Sequence, residues 1–141
     1  MRRPQYRAPM FRLSFNARHQ VLRFTFDGVL DPETLDRADI SLVEFLGGPG
    51  RPYEKIRSLY DLSAVRGVAI PYTKCVERAH RPPIAYLPRI VVLPEGADEQ
   101  FGAHYCAEQR QALNKEPLFM RSVADAYDRL GLVNPRFEPV T

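Results

Sequence analysis

Cys75, His80, His104 and Cys106 are of the residue types that bind zinc or form a thiolate–imidazole nucleophile. Their spacing opposes both uses. His104 and Cys106 are two residues apart, so on a helix they point about 200° away from each other. Cys75 and His80 are five apart, again a poor helical pair. Neither cysteine starts a helix, where a thiolate is favoured. Two buried structural cysteines and two surface histidines are the expectation. Glu95, Asp98 and Glu99 offer paired carboxylates for acid–base work, but acids so placed more commonly favour the positive end of a helix. Gly47-Gly48-Pro49-Gly50 is glycine-rich, yet it follows a helical stretch instead of joining a strand to one. Neither the Walker nor the dinucleotide fingerprint is present. No catalytic set, metal or cofactor is expected.

Binding is the better-supported chemistry. Asp61, Ser63, Tyr72 and Thr73 belong where a strand ends and the next helix begins. Ligands of open α/β sheets bind at such ends, and helix N-termini attract anions. The plainer alternative is that Asp61 and Ser63 satisfy loop backbone groups. Ile84, Tyr86 and Leu87 stand among prolines, either as an exposed apolar patch for a partner or second copy, or as cover for the sheet edge. Arg2, Arg3, Arg7, Arg12, Arg18 and Arg23 all precede the first acid, Asp27, and account for the net charge of +3. A basic arm can bind phosphate by charge alone, but Tyr6 is its only aromatic, so a stacking platform for nucleic acid is missing.

The elements that position these residues follow from patterning. Phe11, Leu13 and Phe15 alternate with polar residues, as do Leu22, Phe24 and Phe26, on either side of a polar turn. That is a β-hairpin with one buried face, its second strand closed by Asp27-Gly28. Asp31-Pro32-Glu33 opens a helix whose apolar stripe is Leu35, Ala38, Leu42, Val43 and Leu46. Ile56 to Asp61 is a short strand and Ser63 to Ile70 a loop. Pro71 begins a second helix, which Pro82-Pro83 must end. Pro88 to Leu93 is a central strand covered on both faces. A third helix runs over 97–113, a last strand over 118–120, and a final helix from its cap Ser122 to Gly131.

The predicted order is ββαβαβαβα, an α/β fold with a mixed, mostly parallel sheet and an N-terminal antiparallel hairpin. Residues 1–10 form a flexible basic arm, 11–131 the single domain, and 132–141 a loose tail. At 141 residues, with 45% hydrophobic and 26% charged, the chain has an ordinary globular composition. Two cysteines, no visible signal peptide and no apolar run long enough to span a bilayer point to a reducing cytoplasm.

Four stretches together resemble the STAS or SpoIIAA-like family, the fold of bacterial anti-sigma-factor antagonists. Phe26-Asp27-Gly28-Val29-Leu30-Asp31 resembles the stretch between the second strand and first helix, and Leu59-Tyr60-Asp61-Leu62-Ser63-Ala64-Val65 the one after the third strand. Arg89-Ile90-Val91-Val92 resembles the fourth strand, and Phe119 through Leu130 the closing segment. The resemblance spans Phe11 to Gly131. It implies a SpoIIAA-like fold and a non-enzymatic regulatory module, docking a protein partner or small ligand through Asp61, Ser63, Tyr72, Thr73 and Tyr86. Antagonists of this family usually carry a phosphorylatable serine at the start of the second helix. Here that place holds Ala69-Ile70-Pro71-Tyr72, and Thr73 is out of register with it. The sequence is thus similar to divergent, stand-alone STAS-like proteins. Two alternatives stay open: an apolar-ligand or lipid carrier or enzyme with a pocket between the second and third helices, and nucleic-acid binding through the arginine-rich arm. A homodimer is compatible with any of them.

Overall fold

The computed structural model describes residues 11–80, 88–94 and 118–140. The chain begins with β1 (Phe11–Asn16) and β2 (Val21–Leu30), paired antiparallel from Phe11↔Phe26 to Asn16↔Val21 without a slip. The turn between them is held by Asn16, whose Oδ1 accepts the His19 N–H at 2.8 Å, and Gln20 takes a left-handed φ of 55°. α1 (Pro32–Gly47) follows. Asp31 caps it, its Oδ1 accepting the Thr34 N–H at 2.8 Å, and that bond holds the Asp31 carboxyl below its ordinary pKa. The buried stripe is Thr34, Ala38, Leu42 and Phe45. Val43, expected on that stripe, is 53% exposed, because Ala38, Leu42 and Phe45 already fill the i, i+4, i+7 line and Val43 sits one step round the helix.

β3 (Arg57–Val68) is the largest departure from the sequence reading, which ends this strand at Asp61 and places a loop at Ser63. The strand instead continues beside β2, itself carried past Gly28 to Leu30. Two register shifts make this possible. Thr25 pairs with Asp61 but Asp27 with Ala64, and Gly28 pairs with Val65 but Val29 with Gly67. Each inserts one extra residue into β3, and Gly28 meets the second with a φ of 74°, open to glycine without a Cβ penalty.

α2 (Tyr72–His80), β4 (Arg89–Val92), β5 (Leu118–Met120) and α3 (Val123–Leu130) complete the expected pattern within the described residues. The helix expected over 97–113 lies outside them. Ser122 caps α3 through the Asp125 N–H at 3.1 Å. Gly131 ends it in the left-handed region, with Leu132 N–H returning to Tyr127 O at 2.9 Å. The segment after Asn134, expected to be loose, supplies β6 (Glu138–Pro139), antiparallel to β1. Pro139 suits this position because an edge strand can spare an N–H.

The six-stranded sheet has the order β5-β4-β3-β2-β1-β6, parallel from β2 to β5 and antiparallel at β1. Each face carries its own core. Leu13, Phe15, Leu22, Phe24 and Phe26 pack under α1, while Val21, Leu59, Ile90 and Val92 pack under α3 with Ala126 and Leu130. Arginines fasten the second face. Arg23 donates to Ser14 Oγ and Tyr127 Oη and lies 4.0 Å over the Phe137 ring, so it is part of the packed body. Arg57 donates to the Leu130 carbonyl at the end of α3. No helix of the described residues is long and apolar enough to cross a membrane.

Candidate functional site

The extension of β3 decides where the candidate residues fall. Asp61 shares the last rung with β4, opposite Val92. Its Oδ1 accepts both the Ser63 N–H at 2.9 Å and the Ser63 hydroxyl at 2.5 Å. The pair straddles the first bulge, where the Asp61 carboxylate accepts the Ser63 N–H within the same strand. From Asp61 to Val68 the strand continues for seven residues, about 23 Å at the rise of a strand. Tyr72 and Thr73 therefore begin α2 at the far end of β3, away from Asp61 and Ser63. The four residues do not form one cluster, and Tyr86 lies outside the described residues.

Beyond Asp61, β3 has β2 on one side and, among the described residues, no strand on the other. Exposed apolar side chains gather at this end. Val29 is 47% exposed, Val68 42% and Tyr72 58%. They belong to the last rungs of β2 and β3 and the first residue of α2, joined by the Ala69 N–H donating to Leu30 O at 2.8 Å.

α2 then runs back toward α1. Arg78 donates to Asp36 Oδ1 at 3.2 Å and to Asp39 at 3.2 and 3.0 Å, with its side chain only 17% exposed. Cys75 is buried on the inner side, and that burial raises its thiol pKa, which disfavours the thiolate. Among the described residues no group of three His, Cys, Asp or Glu could hold a metal ion. Glu95, Asp98, Glu99, His104 and Cys106 lie outside them.

Between α1, α2 and the sheet lies a cavity of about 140 Å³. Phe26 and Leu30 of β2 and Leu62 of β3 form its floor, with Val91 and Phe119 from β4 and β5. Tyr60 stacks on Phe24 at 4.6 Å and 4° and supplies an aromatic wall. Arg78 and Arg89 are its cations and Asp39 its acid. The sequence reading places a pocket between the second and third helices; the third lies outside the described residues, and the cavity described here is lined from α1, α2 and the sheet. The alternation of β2 carries the signal for Phe26, and the apolar run of β4 the signal for Val91. Nothing in the sequence brings Arg78 and Arg89 together, because Arg78 arrives with α2 as it packs on α1 and Arg89 with β4.

No protein-family model matches the chain, and no curated protein matches it. Solved structures do. An uncharacterized DUF3478-family protein with a SpoIIAA-like fold from Shewanella loihica PV-4 superposes with a TM-score of 0.57 at 15% identity, over 90% of this chain and 98% of that one. The anti-sigma factor antagonist SpoIIAA in its unphosphorylated form superposes with a TM-score of 0.52 at 11% identity, over 88% of this chain and all (100%) of that one. The chain has a SpoIIAA-like fold.

In this SpoIIAA-like chain the connection from β3 to α2 is Ala69-Ile70-Pro71. It contains no serine. The SpoIIAA-like frame accommodates a long β3 because both bulges lie in the strand's outer half, leaving the rungs with β4 regular from Ser58↔Arg89 to Asp61↔Val92.

Proposed function

We infer that the protein is a non-catalytic regulatory module that docks a protein partner at the end formed by the outer half of β3 and the start of α2. The observation that carries this reading is the coincidence of a strand edge that no strand of the described residues pairs with and the exposed Val29, Val68 and Tyr72. An edge offers unpaired backbone groups to an incoming segment, and exposed apolar groups beside it supply the area that stabilises docking. The likeness to an anti-sigma factor antagonist supports a protein as the occupant. Thr73 and the Asp61–Ser63 bulge flank the surface, the bulge fixing the twist of the edge.

Partner retention from a lysate of the source organism tests the assignment when three variants are compared quantitatively. Val68→Asp and Tyr72→Ala are expected to lose the retained partner by about tenfold, the effect of roughly 1.4 kcal/mol of lost contact. Val133→Asp, at a residue 85% exposed beyond α3, is expected to retain it as the wild type does. Equal loss in all three variants, or in none, contradicts the reading.

A further inference from the structure

We propose that the edge of β1 is a docking surface for a second copy of this chain, closed in the monomer by the C-terminal segment 136–140. This goes beyond docking at the β3 edge and does not depend on it. The edge is self-complementary. Phe11-Arg12-Leu13-Ser14-Phe15 gives the same order of apolar and polar residues when read from either end about Leu13. The Val140 N–H donates to Leu13 O at 2.9 Å, so the backbone groups of Leu13 point away from β2. Backbone groups of alternate residues in a strand point the same way, so those of Phe11 and Phe15 also face outward. Two copies of β1 laid antiparallel about a two-fold axis at Leu13 bring these outward groups together. Phe11 then falls opposite the partner's Phe15 on the α1 face, and Arg12 opposite the partner's Ser14 on the other, so no like charges meet.

The segment that covers this edge is lightly held. It pairs with β1 at Ser14↔Pro139 and Phe15↔Glu138, flanked by the Val140 bond and by Asn16 Nδ2 donating to Arg136 O at 2.9 Å. Its anchor is Phe137, which stacks on Tyr127 at 6.1 Å and 24° and carries the Arg23 guanidinium 4.0 Å from its ring centre. Glu138 and Pro139 are exposed, and Pro139 has no N–H to offer a further strand. A short exposed edge strand opens far more readily than the sheet behind it. Opening leaves the apolar edge of Phe11, Leu13 and Phe15 with backbone groups that β1 of a second copy satisfies and covers. Both copies must open, so each tenfold gain in the open fraction tightens dimerisation about hundredfold.

Sedimentation velocity of the full chain over a concentration series tests the proposal, with circular dichroism to report the fold. Phe137→Ala removes the anchor and is expected to dimerise at concentrations about a hundredfold or more below those the wild type needs. Glu138→Pro removes a ladder N–H at an exposed residue and touches no ring, and it is expected to shift dimerisation in the same direction, so it decides the matter if Phe137→Ala does not fold. A Ser14→Cys, Pro139→Cys pair added to either variant ties the segment to β1 across their shared rung when oxidised. The oxidised form is expected to be monomeric and the reduced form to dimerise again. Folded variants that stay monomeric overturn the proposal. So do dimers that persist with the segment tied down, or a disulfide that forms between chains instead of within one, which would mark exchange of the segment and not pairing of β1.

Discussion

At the residue scale, Gly50 shows how one missing atom shapes the chain. A Cβ at Gly50 would fall 2.5 Å from Phe45 Cε1 and 2.8 Å from Cδ1. Phe45 cannot yield, because it is 2% exposed and its ring packs 4.9 Å from that of Phe15. Gly50→Ala is therefore expected to cost about 1–3 kcal/mol, the range for forcing extra atoms into a packed core. Gly47, with nothing within 4 Å of its would-be Cβ, is the control, and Gly47→Ala should leave stability unchanged or raise it by up to about 1 kcal/mol. Urea midpoints measured side by side check both, and a Gly50→Ala midpoint equal to the wild type contradicts the packing argument. Capping residues were the most legible single positions: Asp31, Ser122 and Gly131 announce helix ends by type alone, and each takes that role. Asp61 and Ser63 announce a local hydrogen-bonding pair, but nothing in their types says that the pair sits inside a strand.

At the element scale, β1, α3 and β2 as far as Phe26 were readable because their periodicity is unbroken, and β4 because its apolar run is rich in β-branched residues. β3 was not, since a bulge inserts one residue and reverses the facing of everything beyond it, so period-two alternation disappears where the strand persists. β6 was hidden for another reason. Two residues, one of them Pro139, carry no periodic signal, and only the edge of β1 gives them a partner. α1 offers a pH-dependent test of the cap at its start. Because the Thr34 N–H holds the Asp31 carboxyl below its ordinary pKa, the cap contributes stability above the ordinary carboxylate range and loses it as pH falls through the lowered value. Asp31→Ala is expected to destabilise the protein by about 1 kcal/mol at neutral pH. The gap between variant and wild type should then close in acid. Denaturant midpoints at the two pH values measure it, and a gap that is constant or widens on acidification would sink the assignment.

At the scale of the whole molecule, the two faces of the sheet have different tasks. The α3 face is tied down by buried apolar groups and by Arg23 and Arg57, each of which spans separate elements. On the α1 face, α2 is clamped to α1 through Arg78, beside the cavity that β2, β3, β4 and β5 line. The SpoIIAA-like architecture was legible from order and spacing, as a hairpin feeding αβ units leaves few arrangements. The candidate site was less so, because it depends on how far β3 runs and where α2 turns back, and neither is a local property.

Amide hydrogen exchange of the captured complex against the free protein tests docking at the β3 edge most directly. Protection on partner binding is predicted for the backbone of residues 62–73, the outer half of β3 and the start of α2, with α3 and β6 unchanged. Protection confined to α3, β6 or the β1 edge, with residues 62–73 exchanging as in the free protein, would contradict the account.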